Sequence, residues 1–291
     1  MTKQVVLAVG DMCGPPRKNP GAEATAALAR RLIVQEPSAI VLALGDNAYN
    51  RGHEDEYRDY YAPSWGQAEL LGRTWSCPGN HDYRTAGASP YFKYFGEARA
   101  GTPVRSYYSL PLAEAGWHLV SLNSEVEQDA HSAQLQWLRN DLAARAHQPI
   151  LAIWHRPRWG SGAHRDSKKP RWFWNTLSEA GAEITLNGHA HHYERFAPQR
   201  PDQMPHPQGL RQFIVGTGGR KLHGRTKYTP NSEYARFDLF GILKLTLTPA
   251  DYTWEFIDVN DRVIDRGTQR VNERAGGGEP RMPTAKRVKW I

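Results

Sequence analysis

Short apolar runs alternate with helical patterns along the first two thirds of the chain. The runs are rich in Val, Ile and Leu and end at Gly, Pro or polar residues, which is typical of buried strands. They predict strands at 4–10, 39–44, 73–77, 149–154 and 182–186. The segments between them contain stretches without Gly or Pro that have helical composition. Helices are predicted at 22–35, 53–61, 132–146 and 172–180.

The pattern changes after residue 190, where antiparallel strands replace the alternation. An antiparallel pair is also predicted earlier, at 106–110 and 117–123. Later strands are predicted at 210–215, ending in GTGG, and in a meander at 236–248, 251–258 and 262–267. The mixture predicts an α/β fold of two packed mixed β-sheets flanked by helices, an αββα sandwich. We expect one domain over residues 1–269 and a basic C-terminal tail over 270–291.

Five predicted strands end at residues of types that commonly bind metals in proteins. These residues are Asp11, Asp46, Asn80 with His81, His155, and His189 with His191. Ligands collect at the carboxyl ends of strands in open α/β sheets, so the set predicts a metal site. Each residue alone is explained equally well by a turn, because Asp after Gly is a common turn former. His189 and His191 are two apart, and in extended chain they would point to opposite sides, toward two adjacent metals.

The five motifs, in this order, resemble those of the calcineurin-like metallophosphoesterase superfamily. They are GD at 10–11, GDNAY at 45–49, GNHD at 79–82, a lone His155 after a strand, and GHAH at 188–191. Within the superfamily the chain resembles the purple acid phosphatase branch, because Tyr49 lies three residues after Asp46 and His164 lies nine after His155. The resemblance runs from about residue 4 to 267. It implies a binuclear metal-dependent phosphoric ester hydrolase with residues 1–269 as its catalytic domain.

The resemblance implies seven metal ligands: Asp11, Asp46, Tyr49, Asn80, His155, His189 and His191. Asp11, Tyr49 and His191 would hold one metal, and Asn80, His155 and His189 the other. Asp46 would bridge the two. An ionised Tyr49 gives the first site three anions and suits Fe(III), since a phenol with a pKa of about 10 yields its proton only to a strong Lewis acid. The second site suits a divalent ion such as Zn, Fe or Mn. A packed core tyrosine is the alternative for Tyr49.

The same resemblance implies the chemistry. Two metals roughly 3.5–4 Å apart hold the phosphate, and a metal-bound hydroxide attacks phosphorus in line. His81 and His164 are expected to bind phosphate oxygens, and His81 is the stronger candidate to protonate the leaving alkoxide. Asp82 is a candidate for orienting the His81 ring. Ser161 lies in GSG near the site but lacks the strand–turn–helix setting of a nucleophile.

Three classes of function remain open. A phosphomonoesterase acting on small phosphate esters is favoured. A phosphodiesterase or nuclease on the same site is the alternative, and it would accept a diester or nucleic acid at rates near those for a monoester. A non-catalytic binding protein with the same fold predicts damaged ligands, whereas all seven expected ligands are present.

The segment around His155 and His164 is rich in Trp and Arg. Core packing is the favoured role of Trp154, Trp159, Trp172 and Trp174, with stacking on a substrate ring as the alternative. Arg156, Arg158 and Arg165 either contact phosphate or are solvated. Cys13 stands where the branch usually has a small residue, so a small buried side chain is favoured over a thiolate ligand. A bridge between Cys13 and Cys77 is left open.

The net charge of +7 arises from 37 basic and 30 acidic residues and favours anionic partners. Residues 270–291 contribute six Lys or Arg and two Glu, a net +4. A solvated tail is favoured over nucleic-acid attachment, because no RNA-binding pattern accompanies it. No apolar run is long enough to span a membrane, and the first residues carry no signal-peptide pattern. We therefore expect a cytoplasmic protein, or a periplasmic or secreted one if a leader was removed. The sequence does not indicate an oligomeric state.

Overall fold

A computed structural model describes residues 2–164 and 167–273 of the chain. Within these ranges the strands are β1 Gln4–Val9, β2 Ile40–Ala43, β3 Thr74–Ser76, β4 Tyr108–Leu112, β5 Trp117–Ser121, β6 Ile150–Ile153, β7 Ile184–Asn187, β8 Tyr193–Phe196, β9 Arg211–Val215, β10 Ser232–Arg236, β11 Gly241–Leu247, β12 Asp251–Asp258 and β13 Val263–Arg270. The α-helices are α1 Ala22–Gln35, α2 Glu54–Glu56, α3 Ala68–Leu71, α4 Ser89–Phe95, α5 Glu97–Ala100, α6 Ala133–Ala143 and α7 Arg171–Glu179. A π-helix at Tyr57–Tyr61 continues α2, and 3₁₀ turns lie at Asp82–Arg84, Ala86–Ala88 and Ala113–Ala115.

The strands form two mixed sheets. The first has the order β13-β12-β11-β1-β2-β3, in which β1, β2 and β3 are parallel. The second has the order β10-β8-β9-β7-β6-β5-β4, with β5, β6, β7 and β9 parallel. The strands that precede the predicted ligands are thus β1, β2 and β3 of one sheet and β6 and β7 of the other. Each set ends at one edge of its sheet.

Alternate residues of β1 face different layers. Val6 and Ala8 belong to a buried cluster that contains strand residues of both sheets, such as Leu42 and Leu186. Val5, Leu7 and Val9 belong to a second cluster that includes the apolar face of α1. A third cluster joins the second sheet to α6 and α7. The layers are therefore helix, sheet, sheet and helix, as the sequence predicts.

Some elements differ from the sequence prediction. The strand β8 and the helix α4 are not predicted, and the strand predicted from 236 begins at Gly241. The helix α4 consists largely of aromatic residues with weak helix propensity, so packing of Tyr91, Phe92 and Phe95 in the core stabilises it rather than composition. Most of the predicted tail, 274–291, lies outside the described residues. Among the described residues, no helix combines the length and apolar character needed to cross a bilayer.

Candidate metal centre

Three of the predicted ligands leave their strands through left-handed backbone. Asp11, Asp46 and His189 have φ values of 59°, 52° and 68°. Such angles are uncommon outside glycine and cost on the order of 1–3 kcal/mol each, so they persist where the surrounding structure enforces them, often at functional sites. Close backbone packing enforces them here. A Cβ atom at Gly188 would lie 2.9 Å from Asp11 Oδ2, and one at Gly79 would overlap the Asp46 carboxylate.

The first group of predicted ligands surrounds the Tyr49 hydroxyl. This hydroxyl lies 2.8 Å from Asp11 Oδ1 and 3.0 Å from Asp46 Oδ2, and its single proton can be donated to either carboxylate. It also lies 3.4 Å from His191 Nε2, which is 3.4 Å from Asp11 Oδ1. The other nitrogen of His191 donates to the Lys221 carbonyl at 2.9 Å, which turns Nε2 toward the carboxylates. The structure thus brings Asp11, Tyr49, His191 and Asp46 together.

The second group lies on the other side of Asp46. His155 Nε2 is 3.4 Å from Asp46 Oδ2 and 3.2 Å from His189 Nδ1. His155 Nδ1 donates to the Leu44 carbonyl at 2.8 Å, which leaves Nε2 facing the site. Asp46, His155 and His189 each offer a ligand atom within 4.8 Å of the others. Two ligands about 2.1 Å from one cation lie roughly 3.0–3.4 Å apart, so these separations suit a shared ion.

The pKa shifts of these side chains are those expected where protons occupy a site suited to cations. Burial, together with Asp11 and Asp46, raises the pKa of Tyr49 well above its ordinary value. Burial works against a charged His155, but the Asp46 carboxylate raises the pKa of this ring to about 10. Burial and the neighbouring His155 lower the pKa of His189 well below its ordinary value, so its ring is neutral and able to ligate. Metal binding displaces such protons.

The donor set also fits a metal at Asn80. Its side-chain Oδ1 is buried, and within residues 2–164 and 167–273 it has no hydrogen-bond partner. A buried carbonyl oxygen without a donor costs free energy, and a cation satisfies it. Asn80 lines the same cavity as Asp46, His189 and His191. The residues present therefore fit two adjacent cations.

One neighbour of Asn80, the Asp82 carboxylate, has a different role from the one expected. The His81 backbone N–H donates to Asp46 Oδ1 at 2.7 Å, and its Nδ1 donates to the Asn50 carbonyl at 2.6 Å, which turns Nε2 toward the site. Asn50, not Asp82, orients this ring. Asp82 instead accepts the backbone N–H groups of Asp46 at 3.0 Å and Gly79 at 2.8 Å. It also accepts the Tyr57 hydroxyl at 2.8 Å, so it ties the second and third ligand loops together.

The cavity above the centre has a volume of about 280 Å³. Nine residues line it: Asp46, Asn80, His81, Arg84, His164, His189, His191, Arg220 and His223. The His164 ring lies 5.1 Å from the His189 ring and 5.6 Å from the His191 ring, between centroids. Pockets of about 420–480 Å³ occur elsewhere on the surface, but they do not adjoin this cluster of imidazoles.

The sequence interpretation missed three cavity residues: Arg84, Arg220 and His223. The signal for the last two was the GTGG segment that ends β9. Because β9 is parallel to β7, its carboxyl end lies at the same edge as the GHAH motif.

The loop that carries His164 is anchored by a buried carboxylate. Glu194 accepts the Ser161 hydroxyl at 2.6 Å and its backbone N–H at 2.9 Å. His192, which had no expected role, is bonded to the same carboxylate at 2.9 Å and stacks on Phe237. Ser161 is therefore a buried anchor of this loop and not a nucleophile.

Most of the remaining candidates pack in the core or pair with other side chains. Cys13 and Cys77 are both free and buried, and burial raises the pKa of Cys13 to about 12, as expected for a packed thiol. The four tryptophans pack in or against the core cluster of the second sheet. Arg156 is paired with Glu125 and lies 3.0 Å from His189 Nε2. Arg158 stacks on Trp159, and Arg165 lies outside the described residues.

Residues 5–193 match the family model of the calcineurin-like phosphoesterases, and the chain belongs to this family. It is similar to the purple acid phosphatases, as the motifs indicated. Probable purple acid phosphatase 20 of Arabidopsis thaliana is 28% identical over 234 residues, which cover 71% of this chain and 54% of that protein. The chain thus spans about half the length of this relative.

Solved structures share the fold. Purple acid phosphatase PPD1 from yellow lupin, Lupinus luteus, superposes with a TM-score of 0.77 at 20% identity, covering 91% of this chain and 53% of that one. GAP50 of Plasmodium, described as the anchor in the inner membrane complex, superposes with a TM-score of 0.76 at 13% identity, covering 94% and 91%. One fold can host unrelated functions, so the function is inferred from the residues of the site.

Proposed function

We propose that the protein is a binuclear metal-dependent phosphomonoesterase. The observation that carries this proposal is the Asp46 carboxylate, which lies within 3.0 Å of the Tyr49 hydroxyl and 3.4 Å of His155 Nε2. One carboxylate between two ligand groups is the arrangement required to bridge two cations. A non-catalytic protein with this fold would be expected to lack some of the ligand residues, but all seven side chains are present and close together.

Asp11, Tyr49 and His191 would hold Fe(III), and Asn80, His155 and His189 a divalent ion, with Asp46 shared. Bound cations would supply Lewis acidity that neutralises phosphate charge and activates water. The ferric assignment depends on the Tyr49 phenol, since its raised pKa falls only beside a strongly acidic ion.

The Tyr49 assignment predicts a spectroscopic signature. Protein purified without chelator should show a phenolate-to-ferric absorption band in the visible region, and Tyr49→Phe should lose the band because it removes the phenolate. Exposed Tyr228→Phe is the matched control. A band that survives Tyr49→Phe would refute Tyr49 as a ligand. If the protein is colourless and contains Mn or Zn, that metal takes the place of iron in the proposal.

The protein side chains position the ester and handle its protons. His81 Nε2 and the exposed His164 ring face the cavity and would donate to the non-bridging oxygens. In hydrolysis an oxygen of water bonds to phosphorus, the phosphorus–oxygen bond to the alcohol breaks, and the alkoxide takes a proton. His81 Nε2 is the proposed donor of this proton. Burial lowers the pKa of His81, but a phosphate dianion beside Nε2 favours the protonated ring.

His81→Ala should therefore discriminate between leaving groups. We expect turnover of an alkyl phosphate to fall about 100-fold or more, and turnover of 4-nitrophenyl phosphate by less than about tenfold, because nitrophenolate leaves without a proton. Steady-state kinetics of both substrates test this, with the exposed His131→Ala as control. Equal losses on the two esters would remove the role of His81 as the acid.

The hydrogen-bond donors that line the cavity favour a monoester over a diester as the substrate. A monoester dianion exposes three non-bridging oxygens, one more than a diester, and the imidazoles of His81 and His164 line the cavity as donors to them. Purified protein should hydrolyse 4-nitrophenyl phosphate at least about tenfold faster than bis(4-nitrophenyl) phosphate. Similar rates would establish the phosphodiesterase alternative. No turnover of either ester by protein with both metals bound would leave a binding protein.

A further inference from the structure

Two guanidinium groups line the cavity and have no role in the proposed metal binding or proton transfer. Arg84 ends the 3₁₀ turn that follows the GNHD motif, and Arg220 lies in the loop after β9. Arg84 is exposed and Arg220 is partly buried.

The fold brings both groups to the same wall of the cavity, at the segment Tyr49–Asn50. Arg84 Nη1 donates to the Asn50 carbonyl at 3.3 Å, the same oxygen that holds His81 Nδ1. The Arg220 guanidinium lies over the Tyr49 ring, with Cζ 4.4 Å from the ring centroid. Both guanidinium groups therefore border the cavity beside the Tyr49–Asn50 segment.

Arg220 is held in place before any ligand binds. Its Nη1 donates to Asn19 Oδ1 at 3.1 Å, and its backbone N–H donates to the Asp11 carbonyl at 2.9 Å. The loop is thus fixed to the turn that carries a metal ligand. A preorganised guanidinium loses less conformational entropy when it binds an anion.

Neither charge is neutralised within residues 2–164 and 167–273, where no carboxylate forms an ion pair with Arg84 or Arg220. Other arginines near the second sheet are paired, such as Arg156 with Glu125 and Arg195 with Asp265. The wall therefore offers positive charge beyond what one phosphate at the metals uses.

We propose that Arg84 and Arg220 bind a second phosphate of the substrate, so that the preferred substrates are small organic bisphosphates. This rests on the proposed phosphomonoesterase function and names its substrate class. One phosphate lies at the metal centre for hydrolysis. The other lies against the Tyr49–Asn50 wall, where guanidinium groups match phosphate oxygens in charge and planar geometry.

The test compares propyl phosphate with propane-1,3-diyl bisphosphate, which have similar alkoxide leaving groups. After division by two for its equivalent phosphates, kcat/KM of the bisphosphate should be at least about tenfold higher. Arg84→Gln and Arg220→Gln should each remove about tenfold of this value, mainly through KM, and change that of propyl phosphate by less than about twofold. Arg30→Gln is the control, since Arg30 lies on the surface of α1 and pairs with Glu23.

Equal kcat/KM for the two substrates, or equal losses on both in the variants, would overturn the proposal and leave Arg84 and Arg220 a structural role. Faster cleavage of a dinucleotide than of the bisphosphate would also overturn it in favour of a nucleic-acid substrate. If Arg220→Gln does not fold, the exposed Arg84→Gln decides alone. Failure of the proposed function is distinct, because 4-nitrophenyl phosphate and propyl phosphate would then both resist hydrolysis.

Discussion

Asp46→Asn should leave the protein with less than one metal ion per chain and lower phosphomonoester turnover by at least about a thousandfold. Both ligand groups face the same carboxylate oxygen, Oδ2, whose negative charge two cations can share. An asparagine would present either a neutral amide oxygen or an NH₂ group that repels a cation. Loss of a bridging charge removes several kcal/mol of transition-state stabilisation, and each 1.36 kcal/mol is a factor of ten. Metal analysis and steady-state kinetics measure the two effects.

The matched control is Asp59→Asn, which changes an exposed carboxylate paired with Arg58 outside the cavity. It should retain two ions and full turnover. Thermal unfolding of both variants establishes that they fold. Two ions per chain in folded Asp46→Asn would contradict the bridging assignment.

Asp82→Ala should lower the free energy of unfolding by about 3 kcal/mol and also weaken metal binding at least about tenfold. It leaves the buried N–H groups of Asp46 and Gly79 and the Tyr57 hydroxyl without their acceptor, and each such group costs about 1–3 kcal/mol. Because those N–H groups belong to the loops that carry Asp46 and Asn80, the ligands lose their positions. Denaturant unfolding and metal titration measure the two losses.

Asp258→Ala is the matched control for this change. Asp258 is also a buried carboxylate that accepts backbone N–H groups, those of Asn260 and Arg262, but it is the last residue of β12, far along the chain from the ligand loops. It should lower stability without changing metal affinity. If Asp82→Ala keeps wild-type metal affinity while it loses stability, Asp82 supports the fold and not the site.

The sequence predicted the layers and the convergence of the site because both follow from local patterns. The strands are apolar and are followed directly by the polar motifs GD, GDNAY, GNHD and GHAH. Because neighbouring strands are parallel, their carboxyl ends, and therefore the motifs, lie at the same edge of a sheet. The extended chain expected at His189 and His191 is absent, since His189 has a φ of 68°. Their division between two metals stays a prediction, supported by the 3.2 Å from His189 Nδ1 to His155 Nε2 and the 3.4 Å from His191 Nε2 to Asp11 Oδ1.

The missed residues act through contacts that no local pattern contains. Arg220 bonds to Asn19, which is 201 positions away along the chain. Glu194 belongs to an unpredicted strand and anchors the loop of Ser161 through a contact across the second sheet. Asp82 was seen in the GNHD motif, but its partners are backbone N–H groups, which have no sequence identity to detect.

The proposed function requires seven side chains from two sheets to hold two adjacent cations. Anomalous X-ray scattering from a crystal of chelator-free protein locates such cations, with data collected on either side of the iron and zinc absorption edges. We expect two peaks roughly 3.5–4 Å apart on opposite sides of the Asp46 carboxylate, with the iron signal on the Tyr49 side. A single peak, or peaks away from Asp46, His155 and His189, would contradict the account.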